Sequence, residues 1–360
     1  MEKKLIIDAL ALEKGKNYGY QEFLFNILTY FNANRDDLLF DDVIVLVKDT
    51  QTQHLRHFSN LTVEGVHFPN LFVRLFLQDR ISNRYKLKSS DVILSTYNYC
   101  SLTRQKAKEV LIVHDLLFKR AHIFKNKLML LQRTLYLPIS LRRADKIIAI
   151  SKATKDDILS YYNVDETKIE IIRNVFSFEK FVKKGNKEVG NYFLSICSSQ
   201  PHKNTLTLLR AFECYCKEGG KLNLVLVGAI KGNQSLESLY DLMDENIKSR
   251  IHLVRNISNE ELSNYYENAA AFISASLFEG LGMPVVEAMY FNLPLLLSDI
   301  SIFHEVSGEQ AKFFSSENVS ELCQLMLHYQ SHRIDYTRHL NSYFSEDATS
   351  RKYVSILNAL

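Results

Sequence analysis

Glycine and proline are both scarce, at 12 and 5 of 360 residues, where glycine alone usually takes about 7% of a chain. A collagen-like repeat and a Pro/Gly-rich disordered chain are excluded, and the few positions that carry these residues mark where backbone must bend or come close to something. The five cysteines, Cys100, Cys197, Cys214, Cys216 and Cys323, are odd in number and form no Cys-x-x-Cys pair. They read as buried thiols in a reducing compartment, not as a zinc site or a disulfide frame. No apolar run approaches the ~18 residues that cross a bilayer. The opening Met1-Glu2-Lys3-Lys4-Leu5-Ile6-Ile7-Asp8 has an acid inside its short apolar run, unlike a secretory leader. The expectation is a cytoplasmic protein, at most peripheral to the inner face of the cell membrane. Gly-x-Gly-x-x-Gly and Gly-x4-Gly-Lys-[Ser/Thr] are missing too, which argues against a dehydrogenase or a P-loop NTPase. No Asp-x-Asp pair stands at a strand end to hold a divalent ion, so no metal and no cofactor are expected.

What is present is material for packed cores: 46% hydrophobic residues, 22 Phe and 19 Tyr, and a length that suggests two domains. Net charge is only +3, but residues 1–180 hold 28 Lys and Arg against 21 Asp and Glu. The excess sits at residues 74–88 and 119–155, where cations alternate with Leu, Phe, Ile and Tyr. Such a face suits anionic lipid head groups or a phosphate-bearing substrate. It equally suits a solvated helix face whose lysines cover apolar surface. A pI near 8.4 and the absence of a recognisable module speak against nucleic acid.

Short apolar runs alternate with helical patterns from end to end. Strands are expected at 4–10, 43–47, 92–95, 110–114 and 146–150, then at 192–197, 222–228, 251–254, 270–273 and 293–298, with amphipathic segments such as 20–31, 126–142 and 152–162 between them. This alternation implies right-handed βαβ crossovers and mostly parallel sheets. The polar stretch 179–191, with Lys183-Lys184-Gly185 and Gly190, is the best linker. The division expected is 1–178, linker 179–191, 192–343, and a terminal helical segment 344–360. Ligands of such sheets bind outside the carboxyl ends of the strands.

The most informative segment is Phe278-Glu279-Gly280-Leu281-Gly282-Met283-Pro284-Val285-Val286-Glu287-Ala288-Met289. Gly280 and Gly282 let backbone N–H groups approach a ligand, and Pro284 suits the first turn of a helix, whose free N–H groups and dipole favour an anion. Glu287, one turn inside, is placed to accept hydroxyl hydrogen bonds from a ribose, and Glu279 to hold a sugar. Val113-His114-Asp115 ends an apolar strand. By itself a strand-end histidine is more often structural than catalytic.

Taken together these elements resemble the retaining glycosyltransferases of family 4, whose GT-B fold is α/β: two Rossmann-like doubly wound domains facing across a cleft, with a C-terminal helix crossing back to the first domain. The resemblance rests on Glu279-x7-Glu287 with Leu293-Pro294 and Ser298-Asp299, on Pro201-His202-Lys203-Asn204, on Ala144-Asp145-Lys146-Ile147-Ile148-Ala149-Ile150-Ser151, and on Ile172-Arg173-Asn174-Val175.

The resemblance implies a catalytic set of His114, Glu279 and Lys203, with Lys203 on the donor diphosphate as a point charge. Donor binding falls to Glu287, Gly280, Leu281, Gly282, Met283, His202, Ser199, Ile257 and Arg255. The loop with Gly15, Tyr18 and Gly19 is assigned to acceptor and diphosphate. Many relatives carry an Arg five or six residues before the Lys; here Cys197 and Ser198 stand there, with His202 as a possible substitute donor. The implied reaction is hexosyl transfer from a nucleotide-diphosphate sugar, first GDP-mannose, to a hydroxyl of a growing glycan or lipid-linked saccharide, with retained configuration and no metal. A non-catalytic GT-B module that binds nucleotide or a partner is the alternative, and a sugar epimerase or phosphorylase a third.

Overall fold

The computed structural model describes all residues except 1, 14–18, 68–80, 82, 101–104, 121–126, 186–189, 229 and 331. The chain forms two compact units, Met1–Ser177 with Phe344–Leu360, and Phe178–Tyr343.

The first unit holds a seven-stranded, all-parallel sheet of β1 (Lys4–Asp8), β2 (Asp42–Lys48), β3 (Thr62–Val66), β4 (Val92–Ser95), β5 (Lys108–Val113), β6 (Lys146–Ala149) and β7 (Ile169–Ile171), in the order β3-β2-β1-β4-β5-β6-β7. Its central strands carry continuous apolar runs buried along their length, such as Val92-Ile93-Leu94, as expected when helices cover both faces. Strands β3 and β7 escape the apolar-run criterion. Thr-Val-Glu-Gly-Val is mostly half-buried on the sheet edge, and Ile-Glu-Ile is only three residues long. The helix Glu346–Asn358 closes this unit. Ser345 caps it by accepting from Ala348 N–H at 3.3 Å, its fully buried Tyr353 ring lies 5.7 Å from Phe23, and Asn358 bonds to Leu39 and Asp37. The chain thus returns to its first unit at the end.

The second unit repeats the plan with β8 (Tyr192–Cys197), β9 (Asn223–Gly228), β10 (Ile251–Val254), β11 (Ala271–Ser274), β12 (Leu295–Ser298) and β13 (Lys312–Phe314), ordered β10-β9-β8-β11-β12-β13 and parallel throughout. In both sheets the order reverses direction beside the first strand, at β1/β4 and at β8/β11. The crevice outside such a switch point is where doubly wound sheets take ligands. The segment after Ser177 is fastened to the second unit. Phe178 stacks on Tyr290 at 4.4 Å, Val182 N–H reaches Ser263 Oγ at 3.2 Å, and Lys184 and Gly185 N–H donate to the two Glu267 oxygens at 3.0 and 2.6 Å.

One reading is corrected. Cys214 and Cys323 are joined as a disulfide, so the cysteines are not all free thiols. They are 109 positions apart, on helices Thr205–Lys217 and Val319–Leu327 that both pack on the second unit's core. Local spacing carries no trace of such a pairing; Cys100, Cys197 and Cys216 remain free.

Candidate functional site

The second unit's candidate residues gather at the carboxyl edge of its sheet, in the loops on either side of the β8/β11 switch point. After β8 the chain turns through a short 3-10 helix, Pro201–Lys203. It then passes Asn204 in the left-handed conformation (φ 49°) and enters the helix Thr205–Lys217. Asn204 is held there by its amide donating to Ser316 O at 2.6 Å and by Thr207 Oγ1 donating to its Oδ1 at 2.9 Å. After β11 the chain runs to Gly282, which caps the helix Met283–Tyr290 at φ 78°. A Cβ at Gly282 would meet Phe303 at 2.9 Å, so both conformation and space require glycine. Leu277 N–H donates to His202 O at 2.7 Å, tying the two loops together.

That tie brings Lys203 and Glu279 into contact, with Nζ 2.6 Å from Oε1 and side chains 19% and 14% exposed. Ser276 Oγ donates to the same oxygen at 2.8 Å, and Ser298 Oγ braces Ser276 through its carbonyl at 2.5 Å. Burial by itself raises the Glu279 carboxyl; the Lys203 ammonium, the nearby His202 and the two hydrogen bonds outweigh it and hold the group ionised, below its ordinary range. Burial raises the Cys197 thiol to about 11 against the opposing pull of Arg255 and Lys203. The charges of both cations are therefore felt where Cys197 ends β8.

Glu287, 8% exposed, projects from the first turns of Met283–Tyr290. Tyr266 donates to its Oε2 at 2.7 Å, and Lys180 Nζ lies 3.4 Å from Oε1. Tyr266 is fully buried and stacks on Phe291 at 5.4 Å with planes 5° apart; burial first, then the Glu287 charge, keeps its phenol protonated far above the usual range. Arg255 is exposed and Ile257 half-buried after β10, while Ser199 O accepts from Asn233 Nδ2 at 3.3 Å. Met283 opens the helix; Leu281 is buried and Gly280 half-buried.

In the first unit, His114 follows β5 and is buried. Its N–H donates to Asn98 Oδ1 at 2.8 Å, and Nε2 lies 2.8 Å from Thr96 O. A carbonyl only accepts, so Nε2 carries the proton and Nδ1 is the acceptor nitrogen. Burial is the largest influence and lowers the imidazole's affinity for a second proton, despite the Thr96 carbonyl and Asp115. Beside it the buried Arg133 donates to Tyr97 Oη at 2.5 Å and sits 3.5 Å from Asp115, linking the loops after β4 and β5. Gly19 opens the helix Gly19–Ala33; Gly15 and Tyr18 lie outside the described residues, as do most of residues 74–88 and part of 119–155. Ser276, Tyr266, Lys180, Thr96 and Arg133 were not singled out from the sequence. Ser276 alone had a local cue, standing three residues before Glu279.

The Glycosyltransferase Family 4 model matches residues 41–180 and the Glycosyl transferases group 1 model residues 176–335. The chain is 33% identical over 183 residues to the O-antigen chain mannosyltransferase RfbU of Salmonella typhimurium, covering 51% of this chain and 50% of that one. It thus spans about half the length of this curated relative. The GDP-mannose:cellobiosyl-diphosphopolyprenol alpha-mannosyltransferase of Xanthomonas campestris is 23% identical across 82% of this chain and 78% of its own. Among solved structures, Anabaena HepE in complex with UDP and glucose superposes over the whole of both chains with a TM-score of 0.72 at 14% identity, a likeness of fold. With two parallel Rossmann-like sheets and consecutive matches across 41–335, the chain belongs to the family 4 and group 1 glycosyltransferases of the GT-B fold.

Proposed function

We propose that this protein transfers a mannosyl group from GDP-mannose to a hydroxyl of a growing cell-surface glycan or lipid-linked saccharide, with retention of anomeric configuration and without a metal. The observation that carries the reading is the Lys203–Glu279 pair, buried at the carboxyl edge of the β8/β11 switch point beside a glycine-capped helix start. As the bond from the sugar's anomeric carbon to the diphosphate breaks, negative charge grows on the leaving phosphate oxygen. Lys203, with three N–H donors, can serve that oxygen while keeping one bond to Glu279. The amides of Gly280–Met283 supply further donors. Arg255 is the cation that compensates for Cys197 and Ser198 at the position where many relatives carry an Arg. Glu287, preset by Tyr266, accepts from the ribose hydroxyls; in the first unit, His114 keeps its Nδ1 as an acceptor.

The names of the Salmonella and Xanthomonas relatives support mannose as the sugar, and the latter supports GDP as the carrier. HepE was solved with UDP and glucose, so UDP-glucose is the competing donor to test. In a thermal-shift panel, GDP-mannose at about 100 times its Kd should stabilise the protein by ~2.7 kcal/mol, and at the same concentration Lys203→Met should keep about half of that or less. Stabilisation by UDP-glucose alone would overturn the donor assignment. An unchanged response in Lys203→Met would overturn the site.

A further inference from the structure

Both oxygens of the Glu287 carboxylate face a donor, and the two donors come from distant parts of the sequence. Tyr266, fully buried, donates to Oε2 at 2.7 Å. On the other oxygen, Lys180 Nζ stands 3.4 Å from Oε1, with side chains 24% and 10% exposed. The Tyr266 side is closed, so a ligand approaches where Oε1 and the ammonium stand together. Lys180 is firmly mounted there. It lies in a turn closed by Phe181 N–H donating to Phe178 O at 2.9 Å. Phe178 stacks on Tyr290 at 4.4 Å. The buried Phe181 ring meets Tyr266 and Phe291 edge-on at 6.3 and 5.7 Å, and the ammonium lies 4.7 Å from the Phe181 ring centre. The turn is thus fixed to the end of the helix that carries Glu287. A partly exposed ion pair is a weak source of stability, so stability accounts poorly for a lysine held this firmly. What the pair offers is an acceptor and a donor side by side. Neighbouring hydroxyls of a sugar are its complement: one donates to the carboxylate oxygen, and the other accepts from the ammonium through a lone pair.

We propose that Lys180 is a specificity-determining residue for the nucleotide. Its ammonium donates to one hydroxyl of the ribose cis-diol while Oε1 of Glu287 accepts from the other, which restricts the donor to ribonucleoside diphosphate sugars. The proposal rests on Glu287 as the acceptor for the ribose, and adds the second hydroxyl contact and the choice against deoxyribose. A site built to bond a hydroxyl rejects the analogue that lacks it, because its own polar group is then left without a partner from the ligand.

The test is calorimetric titration of GDP, 2′-deoxy-GDP and 3′-deoxy-GDP into the full chain and into Lys180→Met, with the uridine diphosphate series in parallel because the ribose is common to both. The wild type should prefer the ribonucleotide over each deoxy form by about tenfold or more, the loss of one charge-assisted hydrogen bond. Lys180→Met should bind the ribonucleotide about tenfold more weakly. It should nevertheless match the wild type on the deoxy form that lacks the lysine's own hydroxyl, since that contact is missing in both. Lys180→Gln, which keeps a donor beside Glu287 without the charge, supplies the comparison if Lys180→Met does not fold, and its preference should also fall severalfold. A lysine that only neutralises Glu287 would weaken all three nucleotides by one common factor; that result, or an undiminished preference in the variants, overturns the proposal and leaves Glu287 on the ribose. A wild type that binds ribo and deoxy forms alike, or binds neither series, overturns both assignments.

Discussion

Replacing Lys203 by methionine should reverse the way the second unit responds to pH. In the wild type the Glu279 carboxyl is held ionised chiefly by Lys203, against the opposing effect of its own burial. Its folded value lies below the unfolded one, so it contributes stability that is present above about pH 4.5 and is lost as pH falls through the folded value. Without the ammonium, burial becomes the dominant influence and the folded value rises above the unfolded one. The carboxylate is then a liability at neutral pH that protonation relieves, and stability should increase as pH falls from 8 toward 5. Breaking a buried pair by removing one partner costs about 3–5 kcal/mol. With side chains 19% and 14% exposed, about 2–4 kcal/mol at pH 7–8 is expected after allowance for screening. At roughly 2–4 °C per kcal/mol for a unit of this size, the midpoint drops by about 5–15 °C. The assay is urea and thermal unfolding of wild type, Lys203→Met, Glu279→Gln and the double variant at pH 5 and pH 8, read as a double-mutant cycle. The double variant should recover part of the loss. Parallel pH profiles for wild type and Lys203→Met, with no coupling in the cycle, would refute the reasoning.

Further outcomes follow from the same geometry. Tyr266→Phe removes the 2.7 Å phenol bond to the buried Glu287 and should cost about 1–3 kcal/mol in urea unfolding, with weaker GDP binding by calorimetry. Unchanged stability would mean that Glu287 is not held by this bond. For His114, NMR titration should find the Nε2–H tautomer and a ring that protonates only below its ordinary range. Its contribution to stability is complete above about pH 6.5 and is lost as pH falls from there through the lowered folded value; a ring titrating at or above 6.5 would contradict the burial argument. Gly282→Ala meets both the positive φ and the Phe303 ring. It should destabilise the second unit by at least the ~1–2 kcal/mol of a left-handed L-residue and weaken donor binding, and full donor affinity in that variant would remove the helix-cap loop from the site.

Much of this fold is written in apolar runs. Val110–Val113 and Leu295–Ser298 read as buried strands, and their regular alternation with helices points to parallel sheets. The short edge strand Thr62–Val66 is legible only through its ladder with β2, a non-local partner. The candidate site divides the same way. Glu279, Gly282 and Glu287 stand within one loop and helix start, so their spacing exposes them. What conditions them comes from afar: Lys203 is 76 positions from Glu279, Lys180 is 107 from Glu287, and Thr96 is 18 from His114. Tyr266 gave no signal because a tyrosine on an amphipathic helix is ordinarily core, as this one also is. The Cys214–Cys323 bridge was misread for a related reason, since it depends on two helices meeting on one sheet face.

The most direct test of the central claim is isothermal titration of GDP-mannose into the full chain and into Lys203→Met and Glu287→Gln. Saturable one-site binding to the wild type is expected, with a loss of about tenfold or more in each variant, the equivalent of one charge-assisted contact of about 1.5–3 kcal/mol. Equal affinity in all three proteins would contradict it.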